Sequence, residues 1–209
     1  DEKRIGNYVG AIETQAKLFG VKGLFEEAQA NLDRSKRLIS RADVPMGTDL
    51  SAAEELTSLF IQLGRYADAD KLLQIQIPAY ERLYGKNSLR LIEPLVNKGR
   101  ISLAKGDYTD AEKTASRSNQ IATSIYGNIS TKTAPTQKLL SDIYYTMGDY
   151  EKAQTNITNA LASQEKQFGR NHIEVAKSLA QLALVRFYKG DNRGDVEKQM
   201  LEARDIIGA

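Results

Sequence analysis

The chain is predicted to be all-α: a single solenoid of about five stacked antiparallel helix hairpins. Three observations carry that prediction. The first is a repeating turn. Gly148-Asp149-Tyr150-Glu151-Lys152-Ala153 has counterparts in Gly106-Asp107-Tyr108-Thr109-Asp110-Ala111 and Gly64-Arg65-Tyr66-Ala67-Asp68-Ala69, with Gly190-Asp191-Asn192 ahead, each 42 residues from the next. A fainter copy, Gly23-Leu24-Phe25-Glu26-Glu27-Ala28, lies 41 residues before Gly64. The second is another marker with the same period, offset by 21 residues: Leu83-Tyr84-Gly85-Lys86-Asn87, Ile125-Tyr126-Gly127-Asn128 and Gln167-Phe168-Gly169-Arg170-Asn171. The third is helical spacing of apolar residues between markers, as in Leu139, Leu140, Ile143, Tyr144 and Met147, or Leu179, Leu182, Ala183, Val185 and Phe187. Each unit is therefore two helices and two short turns.

The repeats fall at about residues 4–41, 49–84, 88–126, 130–168 and 172–207 of one domain spanning 1–209. Between the first two, Val44-Pro45-Met46-Gly47 replaces the aromatic-glycine marker, and a longer loop is expected. In repeat two, Pro78 lies well inside the second helix, where it removes a backbone hydrogen bond and should kink the helix. Pro94 and Pro135 lie near the starts of first helices, which are expected to begin after the proline or bend at it. Gly85, Gly127 and Gly169 end second helices, because a left-handed backbone costs little without a β-carbon. The aromatic residue before each should cap the core. Gly64, Gly106, Gly148 and Gly190 break first helices, and Asp107, Asp149 and Asp191 are placed to accept hydrogen bonds from the free N–H groups of the next helix. Ala28, Ala69, Ala111 and Ala153 sit where the two helices must cross closely; overpacking there costs about 1–3 kcal/mol. Repeat five has Asn192 and Asp195 in place of the tyrosine and alanine, a deviation expected of a terminal unit.

Composition narrows the function. Lysine and arginine number 29 against 27 acidic residues, and a net charge of +2 is too small to indicate a nucleic-acid or membrane surface. No apolar run approaches a membrane-spanning length, so the chain reads as a soluble piece. Its compartment is open: the cytoplasm is favoured, and a removed leader fits as well. With no cysteine, disulfides, thiolate zinc sites and cysteine nucleophiles are excluded. The glycines recur singly with no Gly-Lys-Ser or Gly-Lys-Thr, so no phosphate loop is present. His172, the one histidine, reads as a turn residue or cap, and Glu174 alone would not complete a metal site with it. The adjacent pairs Glu26-Glu27 and Glu54-Glu55 diverge on a helix and read as solvated. Asn128-Ile129-Ser130 and Asn156-Ile157-Thr158 match the glycosylation acceptor and are assigned no role. Tyr66, Tyr84, Tyr108, Tyr126 and Tyr150 occupy turn markers and read as structural. No catalytic, cofactor-binding or metal residue is assigned.

Leu140, Tyr144, Gly148-Asp149-Tyr150, Ala153 and Ala160 together resemble the tetratricopeptide-repeat signature, in which a small residue, an aromatic, a Gly-x-Tyr turn and two alanines recur. That repeat usually has 34 residues. The longer unit closed by Phe168-Gly169-Arg170-Asn171-His172 resembles the 42-residue version found in kinesin light chains and in bacterial proteins with a caspase-like CHAT domain. The resemblance covers nearly the whole chain and implies a right-handed superhelix. Lys98 and Ser102 stand where the family has apolar residues, and a thinner or slightly rotated layer is expected there. No caspase-like dyad is carried here.

What the resemblance implies for function is a binding surface on the first helices, which line the inner side of such a superhelix. The family's inner positions fall on Glu54, Glu55 and Ser58; on Glu93, Asn97 and Arg100; on Lys138, Asp142 and Tyr145; and on Lys177, Gln181, Leu184 and Tyr188. Asn97 stands where the family often clamps a peptide backbone, as its paired donor and acceptor allow. Arg100 and Lys138 suit acidic groups on that peptide. The expectation is a non-catalytic protein-interaction scaffold holding a peptide or partner domain. The alternatives are a regulatory arm of a larger enzyme, such as a caspase-like peptidase, whose catalytic domain lies outside this segment, and a structural role through self-association.

Overall fold

The computed structural model describes residues 57–208 together with Glu27, Ala30 and Glu54. Repeat one with Ala28, the junction Val44-Pro45-Met46-Gly47, and Glu55 lie outside the described residues. The chain divides into two compact units, Asp1–Leu83 and Tyr84–Ala209. Helices and turns are the only secondary structure among the described residues.

In the first unit, helical residues 57–62 lead through the Gly64 turn (φ 69°) into α1, Tyr66–Tyr84. Ala69 and Leu73 are completely buried, as the close crossing at that alanine requires. The Tyr80 hydroxyl donates to Glu54 Oε1 at 2.5 Å. The helix runs through Pro78 without interruption. Both Pro78 and the residue one turn earlier, Gln74, are exposed, so the carbonyl that loses its N–H partner lies on the watered side.

The second unit opens with a 3-10 turn, Leu89–Leu91, capped by Ser88. Three hairpins follow: α2 (Ile92–Ala104) with α3 (Tyr108–Tyr126), α4 (Ala134–Met147) with α5 (Tyr150–Phe168), and α6 (Ile173–Lys189) with α7 (Arg193–Ile207). The prolines behave differently from expectation. α2 and α4 begin before Pro94 and Pro135, which fall in their first turns. The N–H that proline lacks has no intrahelical acceptor at those positions, so nothing is lost by starting early.

Asp107 and Asp149 cap α3 and α5, accepting from the amides of Asp110 and Lys152 at 3.1 and 3.2 Å. In the last hairpin that role moves one residue on: Asn192 accepts from the Gly194 and Asp195 amides, while Asp191 turns back to Arg186 at 2.8 Å. Gly148 and Gly190 are left-handed (φ 80°, ψ 6° and φ 91°, ψ 21°). Gly127 and Gly169 share the positive φ but leave extended, with ψ 169° and 166°. The aromatic residues before these closing glycines sit on the rim rather than over the core, with Tyr84, Tyr126 and Phe168 at 46, 37 and 45% exposure. Tyr66 and Tyr108 are likewise exposed, whereas Tyr150 packs against the core.

Ala111 and Ala153 are fully buried. Around them one core unites consecutive hairpins: Val96 of α2, Ala115 of α3, Leu139, Ile143 and Tyr144 of α4, and Val185 of α6. A second core joins Ala134, Ile157, Leu161, Val175, Leu179 and Ala203, spanning α4 to α7. The polar layer of repeat three is satisfied internally, since Asp110 accepts from the Ser102 hydroxyl at 2.5 Å and pairs with Lys98 at 3.6 Å. Beside it Gly99 brings α2 close to its neighbours: an added β-carbon would lie 3.0 Å from Leu139 Cδ2 and 3.5 Å from the Ala111 carbonyl.

Candidate functional site

The first helices of the second unit place polar residues of all three hairpins on a common surface. Arg100 of α2, Lys138 and Asp142 of α4, and Glu174 of α6 line a depression of about 350 Å³, with Gln164 and Phe168 of α5 and Pro135 forming its walls. The helical period explains the pairing on α4, because Lys138 and Asp142 are four residues apart and share a face. Asp142 Oδ1 accepts from Gln181 Nε2 at 2.5 Å, which ties α4 to α6. Lys138 reaches Glu174 at 3.7 Å, and Glu174 in turn holds Lys177 at 2.7 Å. Arg100 makes no ion pair within 4 Å with any described residue.

Crowding by protein atoms raises the Asp142 carboxyl to about 6 from 3.8, against the pull of Lys138, Arg100 and the Gln181 hydrogen bond. Water nonetheless reaches this residue, which is exposed at the surface of the depression. Glu174 moves the other way, held below its ordinary value chiefly by its bond from Lys177, with Lys138 and His172 adding to the effect. His172 caps α6 through Nδ1, which accepts from the Glu174 amide at 3.2 Å, and its ring stacks on Phe168 at 4.4 Å. It thus fixes the geometry of the rim.

Farther along the same helices is an aromatic cluster. Tyr145 meets Tyr188 edge-on at 5.5 Å and Tyr150 at 6.0 Å, and Tyr188 also touches Phe187 at 5.4 Å. Leu184, Phe187 and Tyr188 remain substantially exposed on α6.

The family model described as tetratricopeptide repeat matches residues 91–166 and 132–194. The chain belongs to the tetratricopeptide-repeat family. As a tetratricopeptide-repeat protein it is a protein–protein interaction scaffold. No curated protein sequence matches it significantly. Among solved structures, it resembles BtubC (BKLC) from P. vanneervenii with a TM-score of 0.83 at 18% identity, over 100% of this chain and 83% of that one. A Podosopora anserina kinesin-light-chain protein of nearly identical TPR-like repeats gives 0.77 at 16% identity, over 96% and 95% of the two chains. A signal transduction ATPase with numerous domains from Pyrococcus horikoshii, which carries a tetratricopeptide-repeat sensor, gives 0.77 at 19% identity over 100% of this chain and 31% of that one. These likenesses establish the all-α solenoid class.

Within this tetratricopeptide-repeat protein, the structure brings Arg100, Lys138, Asp142 and Gln181 together, with Lys177 linked through Glu174. Tyr145 and Tyr188 form a separate cluster. Asn97 is 4% exposed and belongs to the interior face of α2, so it offers no open clamp. Glu93 is exposed outside the depression, Ser58 is half-buried, and Glu54 is engaged by Tyr80. Sequence reasoning omitted Gln164 and Phe168, because they lie on a second helix, and Glu174, because it precedes the inner positions of its own helix. The 42-residue period aligns equivalent positions but does not reveal which non-equivalent ones converge. Among the described residues no cluster of three or more acidic or histidine side chains could hold a metal, and no helix is long and apolar enough to cross a membrane.

Proposed function

We propose that the surface of α2, α4 and α6 binds an extended peptide or a partner domain and that the chain performs no chemistry of its own. The observation that supports this reading is Arg100: a cation that makes no ion pair among the described residues, beside Lys138 in a concave site. Guanidinium and ammonium groups so placed recognise a carboxylate on the partner, while Tyr145, Leu184 and Tyr188 supply an apolar platform farther along. Changing Arg100 and Lys138 together to alanine is expected to weaken partner binding at least tenfold without altering the helical circular-dichroism spectrum, and unchanged affinity would defeat the assignment.

A second reading takes the chain as the sensory arm of a larger enzyme. Its support is the likeness to a tetratricopeptide-repeat sensor inside a multidomain ATPase. Reading the coding sequence on either side of this segment decides it, since a flanking catalytic domain is required. Self-association is a third use of the same surfaces, and a strictly constant sedimentation mass across concentrations would rule it out.

A further inference from the structure

The side of α4 turned away from Lys138 and Asp142 carries Leu140 and Tyr144, and these form the floor of a second groove, of about 540 Å³. Its walls are α3 and α5, the second helices of consecutive hairpins, with Asn128 from the loop after α3. It shares no residue with the depression on α2, α4 and α6. None of the nine residues lining it is charged, although 27% of the chain is. Asn128 and Asn156, the heads of the two glycosylation-type triplets, both line it.

Bonds to main-chain carbonyls fix which way these two carboxamides point. Gln137, which is 1% exposed, donates from Nε2 to both the carbonyl oxygen and Oδ1 of Asn128 at 2.9 Å. That leaves the Asn128 Nδ2 hydrogens without a partner among the described residues. Asn156 is held the other way round: its Nδ2 donates to the Lys152 carbonyl at 2.9 Å, and Oδ1 is left as an acceptor. A donor on one wall is thus matched by an acceptor on the other.

We infer that this groove binds an uncharged, extended segment of a partner protein through its main chain. A trans peptide group presents its C=O and N–H in opposite directions, the carbonyl to Asn128 and the N–H to Asn156. Alternate side chains of an extended segment point to one face, so small apolar ones rest on Leu140 and the others face water. Gln120, exposed on α3, adds a carboxamide that can donate or accept. A charged ligand finds no counter-charge here, since Glu112 accepts from the Tyr144 hydroxyl at 2.9 Å and Lys152 pairs with Asp149 at 2.8 Å. A sugar, also neutral and rich in hydrogen bonds, finds no open ring to lie on: Tyr144 is 9% exposed, and the Lys152 ammonium sits over its ring at 5.0 Å. The site is independent of Arg100 and Lys138.

The test uses the whole chain and an acetylated, amidated hexapeptide of alternating valine and serine. Titration followed by NMR is expected to move the side-chain amide signals of Asn128 and Asn156, with an affinity that added salt leaves unchanged. Asn128→Asp keeps the shape but replaces the donor with an acceptor, and should weaken binding about tenfold. Asn156→Asp keeps its acceptor and should bind at least as tightly as wild type. Both variants should retain the helical circular-dichroism spectrum. The same peptide with N-methylated valines keeps every carbonyl but loses N–H groups, and should bind about tenfold more weakly. Unmoved asparagine signals, equal losses in the two aspartate variants, or undiminished binding of the N-methylated peptide overturns the inference. So does maltohexaose moving these signals where the peptide does not, which gives the groove to a carbohydrate. Loss of peptide binding on changing Arg100 and Lys138 to alanine also overturns it, by placing the peptide in the other site.

Discussion

At the scale of single residues, two aspartates of one repeat respond oppositely to pH. Asp149 is held below its ordinary value by its hydrogen bonds with Lys152. Its contribution is therefore present above the unfolded-state value and is lost as pH falls through the folded one. The Asp142 carboxyl, although the residue is exposed, is raised to about 6 by the protein atoms crowded around it, so its ionised form opposes folding: between about 4 and 6 the folded state holds a proton that the unfolded state has released, and stability falls as pH rises. Asp142→Asn is expected to stabilise the protein near neutral pH and to give no gain below about pH 4, as urea denaturation at several pH values would show. Gly169 is a second residue-scale case. Its φ of 78° and ψ of 166° suit glycine almost exclusively, yet a β-carbon would meet nothing within 4 Å. Gly169→Ala should therefore cost about 1–3 kcal/mol through backbone strain alone, measured by the same denaturation.

At the scale of elements, α5 shows how local signals and packing divide the work. Its start is set by Asp149, and Asp149→Ala is expected to cost about 1 kcal/mol in thermal or urea unfolding. Its crossing with α4 depends on Ala153, which is fully buried against Tyr144 and its neighbours. Ala153→Leu should cost about 1–3 kcal/mol, because the helices have no space to take up the added volume without moving apart. The prolines belong here as well. Pro94 and Pro135 are tolerated inside first turns because those positions have no backbone bond to lose.

At the scale of the molecule, the hairpins of the second unit are held by cores that no single repeat owns. Ile143 is fully buried in a cluster drawing on α2, α3, α4, α5 and α6. Ile143→Ala is expected to cost about 2–5 kcal/mol, and hydrogen exchange should show the loss in the hairpins on both sides, since stability in stacked repeats passes through nearest-neighbour interfaces. Leu184→Ala, on the exposed face of α6, should change stability by no more than about 0.5 kcal/mol, and any effect should appear in partner binding instead.

The sequence by itself determined the period, the helix pairs, the positions of the turn glycines and the buried alanines. Each of these is set by local geometry: a left-handed φ needs glycine, and a close crossing needs a small side chain. It also located Arg100, Lys138 and Asp142 on first helices. Only the tertiary structure decided which side chains converge. Asn97 and Arg100 are three residues apart on α2, but one turns into the core and the other faces the depression. Glu174 and Gln164 enter from other elements at positions that the repeat does not align. The physical reason is that periodicity reports what every copy shares, whereas a binding site is built from the differences between copies, and their juxtaposition depends on how neighbouring hairpins stack.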